Sequence, residues 1–217
     1  MIIEIFKTEV LDQNSYLVYD GKTREGFIVD TPQQPEDLIG VCLGLAIKYI
    51  FLTHNHFDHI WGAQNLKIAK GAKIVIGMVD AKGINDPAEN FSRAFGGELE
   101  KVSVDIQVLG GEKFKIGNIG VEIIATPGHT AGGISLLTAD KSDKALFTGD
   151  TLFRDGVGRT DLFGGSAKDL KSSLEILEKI IQENPGLNIL PGHGEAFRSP
   201  SLACPEQRRG NGRGGGG

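Results

Sequence analysis

The chain has 217 residues, 40% of them hydrophobic and 24% charged, with a formal net charge of −5. That composition describes an ordinary globular domain with one substantial core, and its acidic balance argues against a broad nucleic-acid-binding surface. Two cysteines are too few for a secreted disulfide framework. Cys42 lies in an apolar run and reads as a small core residue, and a reducing, cytoplasmic setting is expected.

Residues 2–6 and 14–19 read as strands, and Asp20-Gly21 is a tight-turn signal leading to a third strand over 26–29. Acid and base at Glu4 and Lys7 come too early for a signal peptide. After Pro32 and Pro35 a helix is predicted over 36–47, weakened by its glycines. Its apolar stretch is too short to span a bilayer and runs into Lys48, so no membrane association is expected. Residues 49–52, Tyr-Ile-Phe-Leu, read as a strand buried on both faces. A helix over 61–70, a strand over 73–76 and a loop with a short helix over 86–97 follow. Further strands are predicted at 106–109, 113–116, 121–125, 134–138 and 145–147. A last helix starts near Ser166, where Ser166-x-x-Asp169 resembles a capping box, and Leu170, Leu174, Leu177 and Ile181 form a core-facing stripe. Asn184-Pro185-Gly186 ends it before a strand over 188–190. The pattern is two similar halves, each a sheet against helices, spanning 1–198. A Pro/Gly/Arg-rich tail, 199–217, has the composition of a disordered segment; its Arg208, Arg209 and Arg213 read as solvated charges rather than a nucleic-acid contact.

All five histidines stand in loops that follow predicted strands. His54, His56 and His59 fall in Thr53-His54-Asn55-His56-Phe57-Asp58-His59, His129 in Pro127-Gly128-His129, and His193 in Pro191-Gly192-His193. Asp150 stands in Thr148-Gly149-Asp150. In an extended segment residues i and i+2 point the same way, so His54 and His56 converge on one point while Asp58 and His59 face elsewhere. Imidazole and carboxylate donors without thiolate suit a catalytic zinc, iron or manganese site rather than a closed structural one.

The order His54-x-His56-x-Asp58-His59, then His129, Asp150 and His193, resembles the metallo-β-lactamase superfamily. The resemblance implies an α/β (α+β) fold, a four-layer αβ/βα sandwich of two mixed β-sheets flanked by helices, with the ligands at one edge. It further implies two divalent ions, zinc first among the candidates with iron or manganese as others. His54, His56 and His129 would hold one ion, Asp58, His59 and His193 the second, and Asp150 would bridge them. Two such ions, roughly 3.5–4 Å apart, can hold a bridging hydroxide as the nucleophile, with Asp58 and Asp150 as catalytic carboxylates.

Residues 149–153 and Gly158-Arg159-Thr160-Asp161-Leu162 resemble the glyoxalase II and persulfide dioxygenase group. The implied reaction is hydrolysis of a small-molecule thioester of the S-lactoylglutathione type, with Arg159 as a substrate-binding residue or, alternatively, the partner of an internal ion pair with Asp161. A mononuclear-iron persulfide dioxygenase, a β-lactam hydrolase and a non-catalytic metal-binding module are the other readings. The resemblance covers the chain from the first strands to Gly194, and the tail after Phe197 does not resemble the family's usual ending. Residues 194–217 have poor helical composition for the helical domain that gives glyoxalase II much of its glutathione pocket, so those contacts are not carried over. Trp61 stands where glyoxalase II often has glycine, and reads as a pocket wall or as the anchor of the next helix. Asp30, after the third strand, reads as a support for the ligands.

Overall fold

The structure is a computed structural model and describes residues 1–8, 11–96 and 99–199. Its first sheet takes β1 (Ile2–Lys7), β2 (Asn14–Tyr19), β3 (Glu25–Val29), β4 (Ala46–Leu52), β5 (Lys73–Gly77) and β6 (Ile106–Val108) in spatial order. β1, β2 and β3 pair antiparallel, and β3 to β6 pair parallel. Parallel pairing requires crossovers, and these carry α1 (Glu36–Val41), α2 (Phe57–Ile60), α3 (Ala63–Lys70) and α4 (Met78–Gly83). The second sheet is built from β7 (Lys113–Ile116), β8 (Ile119–Ala125), β9 (Ile134–Ala139) and β10 (Lys144–Gly149), all antiparallel. A two-stranded hairpin of β11 (Leu152–Phe153) and β12 (Gly156–Val157) follows, and α5 (Ala167–Glu183) then returns the chain to β13 (Asn188–Pro191), parallel to β10, with β14 (Phe197–Arg198) at the edge.

Strand alternation decides which core each side chain enters. Tyr16, Val18, Phe27, Val29 and Phe51 meet Val121, Ile123, Leu136 and Phe147 between the sheets. The intervening Leu17, Ile28, Ile50 and Leu52 face outward onto Leu38, Leu66 and Ile84 of the helical layer. Across the second sheet Leu146 packs on Leu177, Ile180 and Ile181 of α5. The result is the helix–sheet–sheet–helix sandwich expected, with both sheets mixed.

Local departures have local causes. The helix predicted over 36–47 stops at Val41: Gly44 adopts φ +72°, a left-handed conformation that ends a helix, and β4 begins at Ala46. The helix predicted over 61–70 is α3, which starts at Ala63; the short α2 precedes it, and the two are divided at Gly62, where a Cβ would crowd the Pro32 carbonyl and the Pro35 ring. Helix α4 and strands β11, β12 and β14 had no periodic pattern to announce them. Cys42 is buried in the outer core, which pushes its thiol up to about 11. Ser199 is buried and its hydroxyl accepts from Leu187 N, so it belongs to the folded part; the rest of the tail, including Arg208, Arg209 and Arg213, lies outside the described residues.

Candidate metal centre

The candidate residues all stand on loops that leave strand ends along one edge of the sandwich. His54 to His59 follow β4, His129 follows β8, Asp150 follows β10 and His193 follows β13. Two glycines allow the close approach. Gly128 has φ +141°, and a Cβ there would overlap Leu170 of α5. The His129 loop therefore sits directly on α5, tied down by Ser166 N to Gly128 O at 2.8 Å and Ser173 Oγ to Pro127 O at 2.6 Å. At Gly192 a Cβ would overlap Asp150 Oδ1 and His59 Cε1, so only glycine lets the β13 loop pass the cluster.

All seven sequence-predicted ligand residues come together. His54, His56 and His129 form one group whose ligand atoms lie within 4.8 Å of one another, and Asp58, His59 and His193 form a second. His56 Nδ1 is 2.9 Å from His129 Nε2, and His59 Nε2 is 3.1 Å from His193 Nε2. Asp150 stands between the groups, with Oδ2 3.5 Å from His129 Nε2 and 3.4 Å from His193 Nε2, and Oδ1 3.5 Å from His59 Nε2.

Outer hydrogen bonds fix which ring nitrogen faces inward. His129 Nδ1 donates to the Arg159 carbonyl and His193 Nδ1 to the Leu11 carbonyl, each at 2.8 Å. His59 Nδ1 donates to Asp30 Oδ2 at 2.8 Å. The same oxygen accepts from the Thr53 hydroxyl at 2.8 Å, so that hydroxyl's remaining capacity is as acceptor, and His54 Nδ1 donates to it at 3.0 Å. In His54, His59, His129 and His193 the Nε2 lone pair is thereby turned to the centre. Asp30 is buried at φ +55°, an unusual conformation for a non-glycine, and also accepts from Thr53 N at 2.7 Å. It is a support for the ligands, in line with its place after β3.

Electrostatics point to a cation. Burial and the neighbouring imidazoles hold His54 well below the ordinary histidine range, and burial with His129 pushes His56 down to about 3. Both rings are neutral at pH 7, with lone pairs free to ligate. In the second group burial opposes charge, but Asp30, Asp58 and Asp150 outweigh it and push His59 up to about 10. Burial is likewise overcome by His59 and His193 to hold Asp58 well below the usual carboxylate range. This concentration of negative charge holds protons where a divalent ion would serve as well. His54 Nε2, His56 Nε2 and Asp150 Oδ1 are buried without a hydrogen-bond partner among the described residues, an arrangement rare in proteins. Donor type, inward lone pairs and orphaned atoms all fit divalent metal ions.

A cleft of about 550 Å³ opens over the cluster, lined by Leu11, Phe57, Phe91, Phe95, Arg159 and Leu162 besides the ligand residues. The Arg159 guanidinium pairs with Asp161 through Nε to Oδ1 and a terminal nitrogen to Oδ2, both at 2.7 Å, so the internal ion pair is formed. It is the Arg159 carbonyl that touches a ligand. Trp61 does not line the cleft; it packs behind Phe57, with ring centroids 5.7 Å apart.

Two supporting residues escaped the sequence reading. Asp80 is buried and accepts from Asn55 N, the Thr130 hydroxyl and Gly132 N, joining the two loops of the first group. Asn14 donates to the Pro191 and Gly194 carbonyls on either side of His193, each at 3.0 Å.

Known proteins are similar to this chain over most of its length. An uncharacterized protein of Mycobacterium leprae is 35% identical over 207 residues, covering 90% of this chain and 93% of that one. Hydroxyacylglutathione hydrolase GloC of Haemophilus influenzae is 32% identical over 200 residues, covering 89% and 91%. The crystal structure of the BLEG-1 B3 metallo-beta-lactamase superposes with a TM-score of 0.81 at 28% identity, covering 91% of this chain and 94% of that one. The sequence profile of the metallo-beta-lactamase superfamily matches residues 8–193, which hold every candidate ligand. The chain belongs to the metallo-β-lactamase superfamily, whose members bind divalent metals at a histidine-rich site of this kind.

Proposed function

We propose that this chain is a binuclear metal-dependent hydrolase of small-molecule thioesters, similar to glyoxalase II. In this proposal His54, His56 and His129 hold one ion, Asp58, His59 and His193 hold the other, and Asp150 spans both. Zinc is the ion proposed, and the same donors accept iron or manganese. When bound, such ions supply a nucleophile from water at neutral pH and stabilise charge on a carbonyl oxygen.

The chain's own groups do the rest. Asp58, kept ionised, offers Oδ2 at the floor of the cleft to orient the attacking water and take its proton. Asp30, Thr53 and the carbonyls of Leu11 and Arg159 hold the imidazoles in one tautomer, so no reorganisation is needed as charge develops. The apolar walls give the acyl and thiol groups surface to pack against. Arg159 is the substrate-facing residue of the rim, with Asp161 beside it.

One observation favours a thioester. Among the described residues lining the cleft, the ligand set and Arg159 are the only titratable side chains, so no free acid stands ready to protonate a poor leaving group. A thiolate needs none, because thiols ionise near pH 8.5. Similarity to a hydroxyacylglutathione hydrolase over 89% of the chain supports the same class. The test is turnover of a thioester panel by zinc-loaded protein, abolished by chelation and restored by metal; no turnover of any member refutes the proposal. A mononuclear-iron dioxygenase makes less use of the second group, and oxygen uptake with a persulfide substrate would favour it instead.

A further inference from the structure

We propose, building on the thioester hydrolase reading above, that this cleft selects thioesters whose acyl and thiol substituents are apolar and uncharged, over carboxylate-bearing ones such as glutathione conjugates. The first ground is the wall. On the side of the first ligand group Phe91 sets its ring edge-on to His56, with centroids 5.4 Å apart. Phe57 and Phe95 pack against each other beside it, with centroids 4.4 Å apart and planes tilted at 30°. Leu11 stands on the other side, where its carbonyl holds His193. Apolar surface thus flanks the ligand cluster on both sides.

The wall is built rather than incidental. Phe91 sits at φ +66°, where a bulky residue is an outlier, and such conformations persist only when the surroundings enforce them, often at ligand clamps. Asn90 enforces this one. It is buried, its side chain accepts from Ser92 N at 3.0 Å and donates to Ile84 O at 2.9 Å, and its carbonyl accepts from Phe57 N at 2.9 Å. Phe57 is buried, with Trp61 behind it, whereas Phe95 is 55% exposed and Leu11 49% exposed. Large apolar side chains held open to solvent beside a reactive centre mark a binding surface.

The second ground is charge. Among the described residues lining the cleft, Arg159 is the one cation outside the ligand set, and Asp161 engages its Nε and one terminal nitrogen, which leaves the other terminal nitrogen as its main open donor. A glutathionyl group brings two carboxylates, which lose hydration in an apolar cleft whose one basic side chain outside the ligand set, among the described lining residues, is already paired with Asp161. An alkyl or aryl group gains by the same transfer.

The test is a matrix of thioesters on the zinc-loaded protein: acyl groups from acetyl to octanoyl plus phenylacetyl, each on a neutral thiol and on glutathione. Apolar burial predicts that kcat/KM rises about two- to fourfold per added methylene until the cleft is filled. The neutral-thiol ester should exceed its glutathione counterpart at least tenfold. Phe95→Ser should flatten the chain-length slope, and Ile68→Ser, which removes an apolar residue 73% exposed on α3, should leave it intact. Binding of non-hydrolysable thioether analogues, measured calorimetrically, should follow the same order. A slope near one, or a preference for the glutathione series in rates and binding, overturns the inference. If no thioester is hydrolysed while the analogues bind in the predicted order, the proposed reaction fails and the cleft's preference stands.

Discussion

Asp80 gives the sharpest test of how the centre is held. Its carboxylate is 3% exposed and touches none of the seven candidate ligands. Oδ2 accepts from Asn55 N at 3.2 Å and the Thr130 hydroxyl at 2.7 Å, and Oδ1 accepts from Gly132 N at 2.6 Å. Asn55 lies between His54 and His56, and Thr130 follows His129, so one side chain clamps both loops of the first ligand group. Asp80→Asn keeps the volume but turns an amide NH₂ towards either Gly132 N or the pair Asn55 N and Thr130 Oγ1. One or two buried hydrogen bonds are lost and donors are left unpaired, a cost of about 2–3 kcal/mol, which is a sizeable share of a typical domain's stability. Direct outer partners of ligands are worth about 10–100-fold in metal affinity, which sets an upper bound for a residue that bonds only the neighbours of ligands. Urea unfolding of the metal-free variant should show the stability loss, and a two-step titration against a chromophoric chelator should show one ion weakened by up to about tenfold and the other unchanged. Equal weakening of both ions, or of neither, refutes the clamp. There is also a pH signature. Burial pushes the Asp80 carboxyl up to about 6, so between about pH 4 and that value the folded state keeps a proton that the unfolded chain has released. The stability of the parent protein should include a component that falls as pH rises through that window, and the permanently neutral asparagine variant should lack it.

Asp150→Asn removes the carboxylate that reaches both groups; because outer partners alone are worth about 10–100-fold, metal analysis and thioester kinetics should show a larger loss in both content and kcat/KM, and normal content with full activity would contradict its bridging position. Arg159→Ala removes an exposed pair, so the melting temperature should hold and KM for a neutral thioester should change less than about threefold, since exposed pairs add little; a tenfold rise in KM for carboxylate-bearing esters alone would show that the guanidinium is available to substrate. Asp20 accepts from the backbone of Lys22, Thr23 and Asn118, which holds its carboxyl down to about 2 and joins the β2–β3 turn to the β7–β8 turn. Its depressed pKa gives stability that is full above about pH 4 and lost as pH falls towards 2, so the gap between parent and Asp20→Asn in acid unfolding should close over that range.

The strands were legible because successive residues such as Leu17 and its neighbours Tyr16 and Val18 can enter two different cores only in an extended chain. The ligand set was legible because histidine and aspartate carry their chemistry in the side chain, and their order along the chain is itself distinctive. The support was not. Asp30 was noticed only by its place after β3, and Asp80 meets Thr130 across 50 residues of sequence. The groups that orient His129 and His193 are carbonyls, of Arg159 and Leu11, and a carbonyl leaves no mark on a sequence. The over-long helix at 36–47 failed for a related reason: whether Gly44 is tolerated or takes a left-handed turn depends on the strand that must begin at Ala46.

The central claim is a centre for two ions shared across Asp150. Elemental analysis of freshly purified protein, giving metal identity and ions per chain together, tests it most directly. The account predicts two divalent ions per chain, zinc or a mixture of zinc with iron or manganese. A single iron per chain that does not rise on adding metal, or no bound metal at all, would contradict it.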